Sequence, residues 1–511
     1  MSAAREKSRP SEIPLPTHTS ETPRPERAYT TRTRLLSIAA LAILSTLFRF
    51  SGTLRTRPFD PPEQFYQHLA PVKLSCAHGM NTTARSIAGH IGLRGDTEDA
   101  PKRSFFWYFE AEEDPENAPA ILTMGGGPGT SGMMNALWGQ SPCMASEHDG
   151  FVSNPNRWTQ KHHLIALDHP VGAGFSYGAH VNNSRDAAYD VYDFLQKVFE
   201  VLPHRLQRHK LVISGGSYGG IYVPNIATVI HEQNLLVAAG KGRSHAKHLN
   251  LDALVLTNPL SNPQAHLSWL LHFRCVEHQI YNSTQCTELY AELPKCLDAL
   301  QMAFTSMGLA NRRAAAQACG VLASGDIHGV DIEDIRKSCD ATGTPDRPAG
   351  CHDEFLWVKD TFDNATTRVA MGLPPAEELA YSALNLEVNA EFAAEADIFR
   401  PHHLLYTELL AAGIRVLHYI GAQDANCALP GVLSFLNLLP SPYQSAFRSA
   451  PDLPWALDSD GGVATVRAVG DAAAGNMVYI RVDGAGHFTV KDQPALAKRI
   501  VETWVANEPW F

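Results

Sequence analysis

Residues 214–220 read SGGSYGG and directly follow the apolar run Leu211-Val212-Ile213. The spacing Gly215-x-Ser217-x-Gly219 is that of a nucleophile elbow, a sharp turn between a strand and a helix that exposes a serine hydroxyl. The next stretch, IYVPNIATVIHEQ, is predicted to be helical, so the motif has the strand-turn-helix context that the elbow requires. Ser217 is therefore the candidate nucleophile, and a glycine-rich turn with an inert serine is the alternative.

A serine hydroxyl needs a general base, and the base needs a carboxylate that orients it. Asp424 follows the apolar run RVLHYIG, and His487 follows MVYIRV in a glycine-rich stretch. The order Ser, Asp, His is that of α/β-hydrolases, and both residues come just after predicted strands, where open α/β sheets build their sites. Taken alone, each could be a turn aspartate or a surface histidine. Together with Ser217 they predict a catalytic triad.

The stretch GGGPG at 125–129 follows another predicted strand, AILTM. A glycine-rich loop lets its backbone N–H groups come close to a ligand. We expect an oxyanion hole formed by one N–H of this loop and the N–H of Tyr218, the residue after the nucleophile. A plain Gly-Pro turn is the alternative.

Six short apolar stretches, each bounded by Gly, Pro, Asp or Asn, read as the buried strands that would position these residues. They are 120–124, 163–168, 210–214, 252–258, 415–421 and 477–482. Stretches with helical apolar spacing, such as DVYDFLQKVFEVL, lie between them. This alternation predicts an α/β fold with a mostly parallel sheet flanked by helices. We expect the core in two parts, 65–263 and 386–511, separated by a helical, disulfide-containing cap insertion at 264–385.

The chain has 511 residues, 44% of them hydrophobic, and a net charge of −11, which disfavours nucleic acid as a partner. Residues 1–34 are rich in Pro, Ser, Thr and Arg and are expected to be a disordered leader. The apolar run 35–48, within the segment 35–50, is short for a membrane span and is expected to be a signal peptide or a signal anchor. A buried core helix is the alternative. The secretory pathway is thus predicted, ending in a secreted, vacuolar or membrane-anchored protein.

Cysteines and glycosylation sequons favour the same route. Six of the nine cysteines fall within the predicted cap, which in an oxidising compartment favours disulfides: Cys275, Cys286, Cys296, Cys319, Cys339 and Cys351. Zinc is the alternative, although no C-x-x-C pair occurs there. Four N-x-[ST] sequons predict N-glycosylation at Asn81, Asn182, Asn282 and Asn364. No motif implies a metal or a cofactor, and the oligomeric state stays open.

These motifs together resemble the serine carboxypeptidases, a family of secreted, vacuolar and lysosomal α/β-hydrolases. The segments that match the family pattern stand in its order: GGGPG, DHPVGAGFSYG, GGSYGG, YIGAQDANC and DGAGHFTVKDQP. The similarity covers about 65–263 and 386–511 and is weak across the cap.

The resemblance implies specific roles for individual residues. Ser217 matches the nucleophile, His487 the base and Asp424 the orienting acid, while Gly127 and Tyr218 match the oxyanion donors. The resemblance also implies a free cysteine at position 427, which leaves eight cysteines for up to four disulfides of unassigned pairing.

The chain departs from the family where the terminal carboxylate of the substrate is held. Family members use an Asn and two Glu side chains, and this sequence has Gly125, Gly216 and, by ungapped counting, Gly139 at those positions. A carboxylate that enters an apolar pocket needs donors or a cation, and glycine side chains supply neither. Backbone N–H groups, or a basic residue from the cap, could substitute for them.

The residues support three functional hypotheses. The first is a serine carboxypeptidase that cleaves C-terminal residues from peptides through an acyl-enzyme on Ser217. The second keeps the triad and changes the reaction to that of an esterase, an amidase or an acyltransferase, because the clamp is replaced by glycines. The third is a non-catalytic binding protein on the same fold.

Overall fold

The computed structural model describes residues 64–79, 83–323, 329–339, 352–456 and 462–511. The predicted leader, the apolar segment 35–50, the Asn81 sequon and Cys351 lie outside these ranges. Within them, no helix is both long and apolar enough to cross a membrane.

The strands in chain order are β1 (Gln67–Pro71), β2 (Ser86–Gly92), β3 (Lys102–Phe109), β4 (Ala120–Met124), β5 (Cys143–Ser146), β6 (Gly150–Ser153), β7 (His163–Leu167), β8 (Tyr177–Gly178), β9 (Leu211–Ser217), β10 (Leu251–Pro259), β11 (Gly329–Val330), β12 (Ser338–Cys339), β13 (Arg415–Gly421), β14 (Leu453–Ala456), β15 (Val463–Val469) and β16 (Met477–Val482). One 12-stranded sheet has the order β1-β2-β3-β7-β4-β9-β10-β13-β16-β15-β14, with β8 paired to β3. The pairs β5-β6 and β11-β12 form separate two-stranded ribbons.

The six predicted strands are the six parallel strands at the centre of the sheet, β7-β4-β9-β10-β13-β16. They are buried runs of Val, Ile and Leu, as a parallel sheet covered on both faces requires. Both edges of the sheet are antiparallel. The α/β fold with a mostly parallel sheet is therefore confirmed, and the antiparallel edges extend it.

The α-helices are α1 (Gly132–Asn135), α2 (Ser184–Val201), α3 (Gly219–Ala238), α4 (Pro263–His272), α5 (Ser283–Ser306), α6 (Leu309–Ala323), α7 (Glu354–Asp363), α8 (Ala365–Met371), α9 (Leu386–Ala394), α10 (Leu405–Ala411), α11 (Leu429–Leu438), α12 (Gln444–Ser449), α13 (Thr489–Asp492) and α14 (Pro494–Ala506). Successive residues of one strand pack on opposite faces of the sheet. In β9, Ile213 packs with the apolar residues of α2 and α3, whereas Val212 packs in the hydrophobic core that contains α14. The helices thus cover both faces of the sheet.

The predicted cap contains the long helices α5 and α6, which are joined by the disulfide Cys296–Cys319. A second disulfide, Cys275–Cys286, ties the start of α5 to the turn after α4, and Cys76–Cys143 lies in the core region. Cys339 is disulfide-bonded as well. Cys427 is the free cysteine of the described residues. The disulfides expected in the cap are therefore present, and the exact cap boundaries stay a prediction.

Candidate active site

Ser217 ends β9, and Tyr218 leads directly into α3. The φ angle of Ser217 is 56°, in the left-handed region that non-glycine residues seldom occupy. Its carbonyl oxygen accepts a hydrogen bond from the N–H of Leu260 at 2.9 Å, which holds the turn. A strained serine between a strand and a helix is the geometry of a nucleophile elbow.

The glycine-rich loop 125–129 lies against this elbow. A Cβ added to Gly126 would lie 2.7 Å from the Cβ of Ser217 and 3.0 Å from the backbone N of Tyr218, so only glycine fits there. Gly127, with φ of 101°, lines the same cavity as Ser217. The loop backbone and the first turn of α3 thus flank the serine, which is the arrangement that an oxyanion hole needs.

Asp168 fixes the segment that directly follows this loop. One carboxylate oxygen accepts hydrogen bonds from the hydroxyl of Ser131 at 2.5 Å and the N–H of Gly132 at 3.0 Å, and the other accepts from the N–H of Phe175 at 2.8 Å. Burial raises the pKa of Asp168 to about 7, and these donors oppose the rise. The segment DHPVGAGFSYG contained Asp168, but its role could not be read from the motif.

Asp424 and His487 form a buried pair. Nδ1 of His487 donates to Oδ2 of Asp424 at 2.7 Å. The other oxygen, Oδ1, accepts from the backbone N–H groups of Asn426 at 2.7 Å and Cys427 at 3.0 Å. Because these donors fix both carboxylate oxygens, Asp424 is well placed to orient the imidazole.

Asn258, at the end of β10, was not anticipated from the sequence. Its Nδ2 donates to Oδ2 of Asp424 at 2.7 Å, and its Oδ1 accepts from the N–H of Gly421 at 3.1 Å and the hydroxyl of Thr489 at 2.9 Å. Asn258 thereby connects the carboxylate, the end of β13 and the turn after His487. The sequence feature that could have indicated this role is its position at the end of the predicted strand 252–258.

The pKa of His487 reflects opposing effects. Burial lowers it, but the Asp424 carboxylate outweighs burial and raises the pKa to about 9. Glu333 adds to the rise, and His352 opposes it. Ser217 and His487 line one cavity of about 200 Å³.

A cap segment around β11 and β12 holds both catalytic loops. The carbonyl of Glu333 accepts from the N–H of His487 at 2.7 Å, and the carbonyl of Ile332 accepts from the N–H of Ala425 at 3.0 Å. Arg274, also in the cap, donates twice to the carbonyl of Ala425, at 3.0 and 2.8 Å. The cap therefore positions the segments that carry Asp424 and His487, which the sequence did not reveal.

Cys427 is a second candidate nucleophile, because its thiol interacts with the side chain of Ser217. Burial raises the pKa of this thiol well above its usual value, and Asp424 and Glu333 add to the rise. A neutral, buried thiol is a poor nucleophile. The cavity therefore favours the serine.

A side chain at any of the three glycines that the sequence analysis matched to the carboxylate clamp would meet a close neighbour. A Cβ would lie 2.3 Å from the carbonyl oxygen of Thr130 at Gly125, 2.7 Å from that of Val490 at Gly139, and 2.9 Å from Cγ2 of Thr257 at Gly216. Of this set, Gly216 is the one found among the described residues that line the cavity.

A basic cap residue lies in the same cavity. His352 is buried there, with Nε2 lying 2.7 Å from a carboxylate oxygen of Glu333 and 3.4 Å from one of Asp331. Burial lowers the pKa of His352, but Asp331, Glu333 and Glu354 outweigh it and raise the pKa to about 11. His352 is thus a cation, and the sequence singled out neither it nor Glu333.

The described sequons lie at the surface, apart from the cavity. The asparagines at 182, 282 and 364 are all exposed. Asn282 and Asn364 also cap the N-termini of α5 and α8, because their side chains accept from backbone N–H groups of the first turn.

Comparisons with known proteins agree with this geometry. The profile of the family described as serine carboxypeptidase matches residues 79–507. Carboxypeptidase Y of Komagataella phaffii is 28% identical over 420 residues, which are 81% of this chain and 75% of that protein. Carboxypeptidase Y of Saccharomyces cerevisiae is 27% identical over 461 residues, 87% and 80% of the two chains.

Among solved structures, the chain is similar to Kex1(Δ)p, a prohormone-processing carboxypeptidase from Saccharomyces cerevisiae. The TM-score is 0.71 at 20% identity, covering 86% of this chain and 95% of that chain, which supports the shared fold. Since the family profile spans most of the chain, the protein belongs to the serine carboxypeptidase family and is a serine hydrolase of the α/β-hydrolase fold.

Proposed function

We propose that this protein is a serine-type carboxypeptidase that releases C-terminal residues from peptides through an acyl-enzyme on Ser217. The observation that carries the proposal is the buried Asp424–His487 pair, whose histidine lines the same cavity as the strained Ser217. Family membership supports the peptide substrate.

In this mechanism neutral His487 accepts the proton of the Ser217 hydroxyl while its oxygen attacks the scissile carbonyl. The N–H groups of Gly127 and Tyr218 bind the oxyanion that forms. His487 then gives the proton to the leaving nitrogen. Water next attacks the acyl-enzyme, again with His487 as the base, and the acyl group is released from Ser217. Asp424 keeps Nδ1 protonated and stabilises the imidazolium.

A second candidate function has its own observation. The three positions matched to the carboxylate clamp are glycines, where a side chain would meet a close neighbour. An esterase, an amidase or an acyltransferase would not need that clamp. His352 lies on the cavity wall, but its positive charge is balanced by Asp331, Glu333 and Glu354, so it does not replace the clamp.

The first test is chemical labelling with an active-site phosphonate. We expect the wild-type serine to be labelled and Ser217→Ala to be unlabelled, with a fall in kcat of about 10⁶-fold, as in another serine protease that lost its nucleophile. Ser214→Ala is the matched control, because Ser214 belongs to the same stretch but is buried in β9. Equal labelling of the Ser217 variant would refute the assignment.

The substrate class is tested on the same wild-type protein. Each test peptide is supplied as its free acid, its amide and its ester. Faster turnover of the free acid supports the carboxypeptidase, whereas preferred turnover of the amide and the ester supports the second candidate.

We also propose that the chain follows the secretory pathway, with residues 35–50 as a signal peptide or a signal anchor. The disulfides of the cap and core and the exposed sequons support this, because such cross-links persist in oxidising compartments.

A further inference from the structure

Tyr218, the residue after the nucleophile, is held through both its backbone and its side chain. Its carbonyl oxygen accepts from the N–H groups of Ile221 at 2.9 Å and Tyr222 at 3.1 Å, in the first turn of α3. Its buried ring makes edge contacts with the rings of Tyr222 and Phe392, at centroid distances of 5.1 and 6.2 Å. Its hydroxyl donates to Oδ2 of Asp397 at 3.0 Å. A carboxylate therefore anchors the far end of this side chain.

The hydroxyl of Tyr218 is the donor in this bond. Burial raises the pKa of Tyr218 well above its usual value, and the charge of Asp397 adds to the rise, whereas a side-chain contact with Ser184 opposes it. The hydroxyl thus keeps its proton. A buried hydroxyl needs a hydrogen-bond acceptor, because burial without one costs free energy. Asp397 supplies that acceptor, and it carries a charge.

Asp397 is fully buried and joins the start of one helix to the residue before another. Its Oδ2 also accepts from the backbone N–H of Ser184 at 3.2 Å and from the hydroxyl of Ser184 at 2.5 Å, where α2 begins. Its Oδ1 lies 3.2 Å from Nε of Arg400. The negative charge is favoured at the N-terminus of α2, because backbone N–H groups are free of helical partners there.

The short turn that carries Asp397, Asp397–Phe399, is itself fastened to α3. The backbone carbonyl of Asp397 accepts from Nε2 of His402 at 2.8 Å. Nδ1 of His402 in turn accepts from Nδ2 of Asn225, on α3, at 2.9 Å. Burial lowers the pKa of His402, which agrees with the neutral ring that this second bond requires. Asp397 is therefore fixed relative to the helix that follows Tyr218.

The backbone N–H of Tyr218 is the group that would act in the reaction. In the mechanism proposed above it binds the oxyanion together with the N–H of Gly127. Such donors stabilise a transition state most when they are held in position before the charge develops. Anchoring the side chain of Tyr218 restricts its motion at the nucleophile elbow, and the N–H moves with the residue.

We propose that Asp397 is a positioning residue of the oxyanion hole, acting through the hydroxyl of Tyr218 on its backbone N–H. The proposal rests on the proposed acyl-enzyme mechanism, and it does not depend on which acyl compound is the substrate. Asp397 is not among the described residues that line the catalytic cavity. Its effect on the reaction therefore passes through Tyr218.

The first test is Tyr218→Phe, which keeps the ring and removes the bond to Asp397. We expect kcat for the p-nitrophenyl ester of an N-blocked amino acid to fall about tenfold with KM unchanged, because one hydrogen bond to a charged group is lost. Phosphonate labelling of Ser217 should slow by the same factor, since the phosphoryl oxygen occupies the oxyanion hole. Loss of an oxyanion donor itself would cost more, about 10²–10³-fold.

A double-mutant cycle tests Asp397 directly. Asp397→Asn should lower kcat by a similar factor when Tyr218 is present and should have little effect in the Tyr218→Phe protein, because residues that act as a unit are not additive. A purely structural role would give equal losses in the two backgrounds. If Asp397→Asn does not fold, Tyr218→Phe decides the question by itself.

Tyr108→Phe is the matched control. Tyr108 is also buried, and its hydroxyl lies 2.8 Å from Nδ1 of His163, in the contact between β3 and β7. This variant should keep the wild-type kcat and labelling rate. Wild-type values in Tyr218→Phe, a rise in KM alone, or equal losses for Asp397→Asn in both backgrounds would overturn the inference.

The ester and the phosphonate also keep the two proposals apart, because they require the acyl-enzyme chemistry and no peptide. If peptides are not hydrolysed while both reagents react at Ser217, the proposed carboxypeptidase fails and the cycle still decides the role of Asp397. A wild-type protein that neither turns over the ester nor is labelled would overturn both.

Discussion

The Asp424 carboxylate accepts hydrogen bonds from His487, Asn258 and two backbone N–H groups of its own turn. The side-chain amide of Asn258 donates one of these bonds, and its oxygen also accepts from the end of β13 and from Thr489. Asn258 is in this sense a positioning residue that acts through Asp424.

We expect Asn258→Asp to lower kcat by about 10–100-fold, since a charged hydrogen bond is lost at the carboxylate. Aspartate tolerates the φ of 42° found at this position, so the backbone can be retained. The added negative charge also raises the pKa of His487. Because the neutral imidazole is the active form, the acid limb of the kcat/KM profile moves to higher pH.

Asn117→Asp, which adds the same charge at an exposed position, is the control for that shift. A loss of kcat in Asn258→Asp with an unmoved pH profile would indicate a merely structural role for Asn258.

At the scale of the elements, Asn282, the residue before α5, has two expected roles. Asn282 is the N-cap of this helix and forms a capping box with Gln285. Its Oδ1 accepts the backbone bond, which leaves Nδ2 for a glycan. Capping and glycosylation can therefore be separated by substitution.

We expect Asn282→Asp and Asn282→Gln both to lose one N-linked glycan, seen as an equal mass decrease in protein from a eukaryotic secretory host. Asp retains a good cap and Gln does not, so the Gln variant should be less stable by about 1 kcal/mol in chemical unfolding. No mass difference from the wild type would contradict glycosylation at this site. Equal unfolding midpoints for the two variants would contradict the capping role.

Over the whole molecule, ion pairs join the predicted cap to the last part of the core. Glu354 of the cap pairs with Lys491, and Arg336 of the cap contacts Asp492. His352 stands in the middle of this network, beside the catalytic cavity. The stability of the contact between the predicted cap and the core should therefore depend on pH.

The shifted pKa values of His352 and Glu354 define the pH range in which this network stabilises the protein most. The pKa of His352 is raised from 6.5 to about 11, so its stabilisation is fully present below 6.5 and is lost as the pH rises towards 11. The pKa of Glu354 is lowered from 4.5 to about 2, so its stabilisation is present above 4.5 and is lost as the pH falls through 2. The network is strongest between these limits, at pH 4.5–6.5.

We expect His352→Gln to destabilise the protein by about 3–5 kcal/mol in that window, because buried carboxylates lose their partner. The difference in Tm from the wild type should narrow as the pH rises from 6.5 towards 9. Thermal unfolding across this range measures it, with the exposed His148→Gln as control. A Tm difference that does not change with pH would contradict the assigned protonation.

The central strands could be predicted because their information is local. Runs such as AILTM and RVLHYIG are apolar on both faces and end in turn residues, and they form β4 and β13. The edge strands were missed for the same reason. β2 contains two glycines and β14 has four residues, one of them proline, so neither has a clear local pattern.

The candidate site divides in the same way. Ser217, Asp424 and His487 each stand in a short motif, and the neighbouring residues, above all glycines, determine its backbone conformation. The type of chemistry could therefore be predicted from the sequence. Asn258 could not be predicted, because it stands in no such motif and its contact with Asp424 is made only by the folded chain.

The sequence by itself determined the serine hydrolase chemistry and the central sheet, and the loss of the side-chain clamp at three glycines stays a prediction. The tertiary structure alone decided what stands beside the catalytic histidine: the rings of Trp138 and Phe488 and the charges of Glu333 and His352. The physical reason is that a turn is encoded by adjacent residues. A cavity wall is instead assembled from distant segments, and the sign of its charge depends on which of them fold together.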